Sequence, residues 1–136
     1  MSDNFIHSDL TSKIIKGFYN VYNTLGYGFL EKVYENALAV ELGKMGLDCV
    51  LQQPVDVYYD GVKVGLYVCD LIVEDLVIVE VKAAEKICEE HEAQLVNYLR
   101  ATDIEVGLLL NFGKKAQFKR KVFSSEFKDH KLSSPS

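Results

Sequence analysis

Scarce residues say the most at first. Tryptophan is absent, proline occurs twice, and cysteine and histidine three times each in 136 residues. No apolar run approaches the twenty or so residues that a membrane helix needs, and no basic-then-apolar start resembles a signal peptide. A soluble, cytoplasmic chain that does not enter a membrane is therefore expected. Cys49, Cys69 and Cys88 are far apart, odd in number and without a C-x-x-C pair, which excludes a disulfide scaffold and leaves three thiols in a reducing compartment. His7, His91 and His130 lack zinc-ligand spacing. Positive charge is also in short supply, with 15 Lys and Arg against 20 Asp and Glu, a net charge of -5. Coating nucleic acid by bulk attraction is thereby excluded. A chain of this length buries roughly two thirds of its unfolded surface and needs no metal to fold, so any metal would serve function.

What is present begins as helix. In "HSDLTSKIIKGFYNVYNTLGYG", Leu10, Ile14, Phe18, Val21, Tyr22 and Leu25 recur at helical spacing, with Ser8 or Asp9 as a capping side chain and Gly26 and Gly28 as the stop. "FLEKVYENALAVELGKMG" supplies a second helix with Leu30, Val33, Tyr34, Ala37, Leu38 and Leu42 as its stripe and Gly46 as its end. Glu31 falls in the first turn, where the helix dipole favours a carboxylate, so helix-start chemistry alone could explain it.

From Cys49 the period changes from 3.6 to 2. "CVLQQPVDVYYDGVKVGLYVCDLIVEDLVIVEVK" predicts three antiparallel strands, with turns at Asp60-Gly61 and Glu74-Asp75. "AAEKICEEHEAQLVNYLRATD" returns to helix, with Ala84, Ile87, Cys88, His91, Leu95, Tyr98 and Leu99 on one side. "IEVGLLLNFG" is a strand, and "KKAQFKRKVF" can pair beside it. A single domain over residues 1–136 is expected, with 129–136 as a flexible tail.

One stretch carries charges where a core is expected. In "DLIVEDLVIVEVK", a turn centred on Asp75 makes positions summing to 150 face each other, so Asp70 stands opposite Glu80. Lys82 shares the face of Glu80, while Val77, Val79 and Val81 fill the core on the other. Two carboxylates at ~4 Å and an effective dielectric near 20 repel by roughly 4 kcal/mol. If Glu31 converges on them, about two surplus negative charges remain beside Lys82, which a hard divalent cation with oxygen ligands would relieve. A Glu-x-Lys pair by itself means little, arising by chance roughly once in two chains of this length. A second copy, Glu126-Phe127-Lys128, lies in a polar segment with no facing aspartate and reads as surface. A solvated ion pair on an exposed sheet face remains the plain alternative for the first copy.

An aspartate ending one strand and Glu-x-Lys in the next, between a preceding and a following helix, resembles the PD-(D/E)XK nuclease superfamily. Gly28, Glu31 and Tyr34 in "GFLEKVYENAL" resemble the G-x-x-E-x-x-Y signature of a family within it, and the likeness runs from Asp9 to about Phe123, including the closing strand "GLLLNFG". Cys69 stands where the superfamily's motif has proline. The resemblance implies an α+β, restriction-endonuclease-like αβββαβ core with an extra N-terminal helix and a mixed central sheet flanked by helices. It also implies a Mg²⁺-dependent nuclease, with Mn²⁺ as substitute. Asp70, Glu80, the main-chain carbonyl of Val81 and Glu31 would be ligands, and Lys82 would position the attacking water. Gln94 and Tyr98 resemble a Q-x-x-x-Y element: Gln94 would orient the lysine or a phosphate oxygen, and Tyr98 would stack on a base or hydrogen-bond the backbone. Ordinary helix packing also explains that pair.

Nucleic acid is the implied partner, DNA ahead of RNA, bound weakly or with the help of a homodimer or partner protein. Lys114, Lys115, Lys119, Arg120 and Lys121, with Phe118 and Phe123 among them, form a candidate phosphate-contacting edge. Lysines guarding an edge strand against aggregation would look the same. Two other functional classes stay open. A nuclease fold without turnover would be a binding or regulatory module, separable by metal titration. A carboxylate-pair glycosidase would use two acids without a metal, but Lys82 beside them fits it poorly.

Overall fold

In the computed structural model, residues 6–128 and Leu132 are described. The first helix, α1 (Ser8–Leu25), buries Ile14, Phe18 and Val21, and it stops at Gly26, whose φ of 68° lies in the left-handed region. Neither Ser8 nor Asp9 caps it: the N-cap is His7, without a side-chain cap bond. The second helix, α2 (Glu31–Lys44), also departs from expectation. Its buried face is Tyr34, Glu35, Leu38 and Leu42, while Leu30 and Val33 are exposed. Tyr34, Leu38 and Leu42 of the expected stripe are buried, Glu35 joins them in place of Leu30 and Val33, and Glu31 stays exposed.

Five strands form one sheet in the order β1 (Cys49–Tyr59), β2 (Val62–Val73), β3 (Val77–Lys82), β4 (Val106–Phe112) and β5 (Ala116–Val122). The first three are antiparallel as expected, β3 and β4 run parallel, and β5 returns antiparallel to β4. Asp60 and Gly61 turn β1 into β2 with φ of 49° and 80°, the geometry that Asp-Gly favours. Parallel strands need a crossover, and the connection from β3 to β4 carries α3 (Glu89–Arg100).

The sheet is sandwiched. On one side Val77, Val79 and Val81 pack with α1 and α2 residues, and on the other Ile78 packs with Leu95, Tyr98 and Leu99 of α3. Alternation along β3 thus sends valines to one layer and Ile78 and Glu80 to the other. The third helix begins later than its pattern suggests, at Glu89, so Ala84, Ile87 and Cys88 lie outside it. Cys88 is the N-cap, its N–H reaching His91 Nδ1 at 3.4 Å, and further upstream the chain is held by Asn111, a fully buried amide on β4. Its Oδ1 accepts from the Ala84 N–H at 2.9 Å and its Nδ2 donates to the Ala84 carbonyl at 3.0 Å, holding that backbone in a non-helical path. The tail expected to be flexible, 129–136, lies outside the described residues except Leu132, as does His130.

Candidate active site

The hairpin register predicted from the turn holds: Val73, Ile72 and Leu71 pair with Val77, Ile78 and Val79. One step further the main-chain ladder ends. The Asp70 N–H donates instead to Glu80 Oε2 at 2.9 Å, and the Val81 N–H donates to Asp70 Oδ2 at 2.8 Å. Each carboxylate has taken over a backbone partner, and the strands fork at that point. Beyond it β3 stays bound to β4 as far as Lys82 and Asn111, whereas β2 leaves with β1.

On its other edge, too, β2 is interrupted at Asp70. Pairing with β1 skips Gln52 and Asp70, and Gln52 has a φ of 55°, a strained value for a side chain with a Cβ. Its amide donates to Glu35 Oε1 at 2.5 Å. Glu35 is only 5% exposed and lies 3.9 Å from Lys32, so the latch between α2 and β1 sits directly behind the fork. Neither Gln52 nor Glu35 was singled out from the sequence. The available signals were a polar pair interrupting a strand and a glutamate at i-3 from Leu38.

The fork gathers carboxyl groups out of water. Glu80 is 3% exposed, and burial first, then the charge of Asp70, pushes its carboxyl up to about 8; the Asp70 N–H and Lys82 offset only part of this. Burial likewise raises Asp70, against the Val81 hydrogen bond and Lys82, with Glu31 adding to the rise. Glu35 is raised by burial and by Asp70. A solvated ion pair on an open sheet face is therefore the wrong description of Glu80. Lys82 is at the rim, where its Nζ reaches Gln94 Oε1 at 3.4 Å, a long contact.

Glu31 is exposed at the start of α2, close enough for its charge to act on Asp70 and Glu35. The geometry around it explains the spacing of Gly28, Glu31 and Tyr34. The Tyr34 ring stacks on Phe112 at 4.2 Å, and its hydroxyl donates to the Gly26 carbonyl at 2.6 Å and accepts from the Phe29 N–H at 3.2 Å. Gly28 turns the chain with a φ of 110°, open to glycine alone at low cost. One tyrosine thus pins the loop from which Glu31 starts its helix.

Two expectations change. Tyr98 is 4% exposed with its ring 5.3 Å from Tyr67, so stacking on a base is closed to it; its hydroxyl is raised by burial and by the nearby Glu80 charge. The basic edge on β5 is divided. Arg120 is turned to the Ile6 carbonyl, Lys121 is paired with Glu92 at 2.7 Å, and only Lys114, Lys115 and Lys119 are exposed.

A family model described as the PD-(D/E)XK nuclease superfamily matches residues 8–122. The chain belongs to the PD-(D/E)XK nuclease superfamily. The mixed five-stranded sheet and three α-helices, α1 to α3, among the described residues make up the α+β, restriction-endonuclease-like fold expected of such a nuclease-fold protein. Membership points to nuclease-type activity, nucleic acid as a partner and a divalent metal. No curated protein and no solved structure matches the chain. No helix among the described residues is long and apolar enough to cross a membrane.

Proposed function

We propose that the fork is the active site of a Mg²⁺-dependent nuclease of the G-x-x-E-x-x-Y type, acting on phosphodiester bonds, with Mn²⁺ as a working substitute. The observation that carries this reading is Glu80: a buried carboxyl, hydrogen-bonded to the backbone of a second carboxylate's residue and raised to about 8 by burial and by that neighbour. Such an arrangement is costly for the fold and is relieved by a cation with a preference for hard oxygen ligands. The donor set suits Mg²⁺ for that reason. Asp70 and Glu80 would hold the ion with the Val81 carbonyl, and Glu31 would join directly or through water. When bound, the ion supplies an acidified water and offsets charge on the phosphate. Lys82, at the mouth of the fork, would orient the attacking water and offset charge on the phosphate, and Gln94, 3.4 Å from its Nζ, would steady it. Among the described residues no three His, Cys, Asp or Glu side chains stand close enough to hold an ion between them, an observation that favours a second reading, a binding or regulatory module without turnover.

Calorimetric titration with Mn²⁺ separates the two, paired with cleavage of labelled DNA and RNA in Mg²⁺ and in EDTA. Saturable Mn²⁺ binding lost in Asp70→Asn, together with EDTA-sensitive cleavage, supports the nuclease. A chain that binds no Mn²⁺ and cuts nothing is the silent module.

A further inference from the structure

Two clefts take part of their walls from the segment that follows Lys82, and no residue of the fork lines either. The first, of about 400 Å³, lies between the loop carrying Tyr27 and Phe29, the segment 83–85 after β3, and Lys114 after β4. It opens at the carboxyl ends of the two parallel strands, where open sheets leave room for ligands. The second, of about 520 Å³, lies on the other side of the same β4–β5 turn, with Tyr19, Phe118, Lys86 and Lys119 among its walls.

The partition between them is rigid. The Tyr22 hydroxyl lies 2.8 Å from the Gly113 carbonyl and 2.7 Å from that of Lys114, and Asn111 clamps Ala84 from within. Gly113 admits no side chain, because a Cβ there would come within 2.4 Å of the Ala84 carbonyl. The rings, by contrast, face water. Tyr27 is 59% and Phe29 47% exposed, and the exposed Tyr19 and Phe118 meet edge to face at 6.4 Å. Each cleft therefore combines two exposed aromatic rings with at least one lysine.

That combination selects its ligand. Duplexes are held mainly by rows of cations that neutralise many phosphates, and this chain has a net charge of -5 with Glu85 and Glu92 in the same cleft walls. Exposed rings with a few lysines are instead how proteins hold unpaired bases, since every base offers a face for stacking. We propose that the two clefts form one seat for single-stranded nucleic acid. One base stacks at Tyr27 and Phe29, others at Tyr19 and Phe118, and Lys114, Lys86 and Lys119 contact phosphates. The strand then reaches Lys82 already unpaired. This rests on the nuclease reading of the fork and narrows its substrate to single strands, overhangs and unpaired loops.

The test is fluorescence polarisation of the full chain with labelled oligothymidylate and with a duplex of equal length, at low salt in EDTA. The single strand should bind at least about tenfold tighter than the duplex, and Tyr27→Ala and Phe118→Ala should each weaken it by about tenfold, the scale of one lost base stack. Tyr27→Phe should retain binding, because the ring face remains. Equal or tighter duplex binding, or unchanged affinity in both alanine variants with unchanged melting temperatures, overturns the proposal. So does failure to bind either nucleic acid, which would leave the clefts to a protein partner. The readout is independent of the ion site. A chain that binds oligothymidylate but takes up no Mn²⁺ and cuts nothing keeps the seat and loses the nuclease. Wild-type cleavage of single strands by Tyr27→Ala does the reverse.

Discussion

Glu80-Val81-Lys82 and Glu126-Phe127-Lys128 share a pattern and have opposite lives. In the first, on β3, the acid is buried and the lysine stands at the rim beside Gln94. In the second, at a three-residue 3₁₀ turn, Glu126 is exposed and Lys128 is drawn inward, its Nζ donating to the carbonyls of Thr102 and Ile104. Burial lowers the Lys128 ammonium, with Glu105 and Asp103 acting against it. Backbone geometry accounts for the contrast. Residues i and i+2 of a strand share a face, whereas Glu126 lies within a 3₁₀ turn and Lys128 is the extended residue that ends it, so no strand geometry puts the two on one face. The first copy therefore presents two charges to one place, and the second sends one to solvent and uses the other to bind a loop. The expectation of a surface position for Glu126-x-Lys128 holds for the acid and fails for the lysine.

Substitution at the two acids should break the symmetry most. Glu80→Gln is expected to reduce divalent-dependent cleavage by about a thousandfold or more, the several kcal/mol a metal contributes at a phosphate. It should also raise the melting temperature of the metal-free protein near pH 8, since a buried charge beside Asp70 is removed. Glu126→Gln should alter neither. Equal losses in both variants would sink the assignment of the fork.

The two lysines give the next contrast. Lys82→Ala should lower cleavage by about 10²- to 10⁴-fold while Mn²⁺ affinity and fold persist, as measured by calorimetry and circular dichroism. Lys128→Ala should leave cleavage intact and cost about 1–3 kcal/mol in urea unfolding, because two carbonyls lose their donor. Wild-type cleavage by Lys82→Ala removes it from the chemistry.

Smaller, but specific in sign, is the dependence on pH. The Glu80 carboxyl titrates at about 8 in the fold against 4.5 unfolded, so the unfolded chain releases its proton first as pH rises. Its contribution to stability is complete below 4.5 and lost as pH passes through about 8, and Asp70 and Glu35 are displaced in the same direction. Melting temperatures in EDTA should fall across that window, with a flatter profile in Glu80→Gln, and Mg²⁺ should restore stability at the upper end while releasing protons. A flat profile in the wild type would contradict the burial of Glu80. The smallest effect is expected from Glu31→Gln: weaker Mn²⁺ binding by calorimetry with less than about 1 kcal/mol of stability change, the scale of a helix-dipole contact. Unchanged Mn²⁺ affinity would reduce Glu31 to helix-start chemistry.

By itself the sequence determined the elements governed by near neighbours. Strand period and the turn at Glu74-Asp75 set the register that brings Asp70 to Glu80, because a one-residue slip would have turned the valines of β3 away from α1 and α2. Gly28 and Tyr34 likewise belong to one local device. Tertiary structure alone decided what depends on partners distant in the chain. Asn111 fastens Ala84, ahead of α3, from 27 residues away. Glu35 is drawn into the interior in place of Leu30 and Val33 because Gln52, 17 residues on, meets it there. Arg120 is withdrawn from the basic edge by the carbonyl of Ile6, 114 residues earlier. A period read along one segment ranks its faces by hydrophobicity, but a buried polar group keeps its place only if a partner arrives to satisfy it, and that partner is set by the fold.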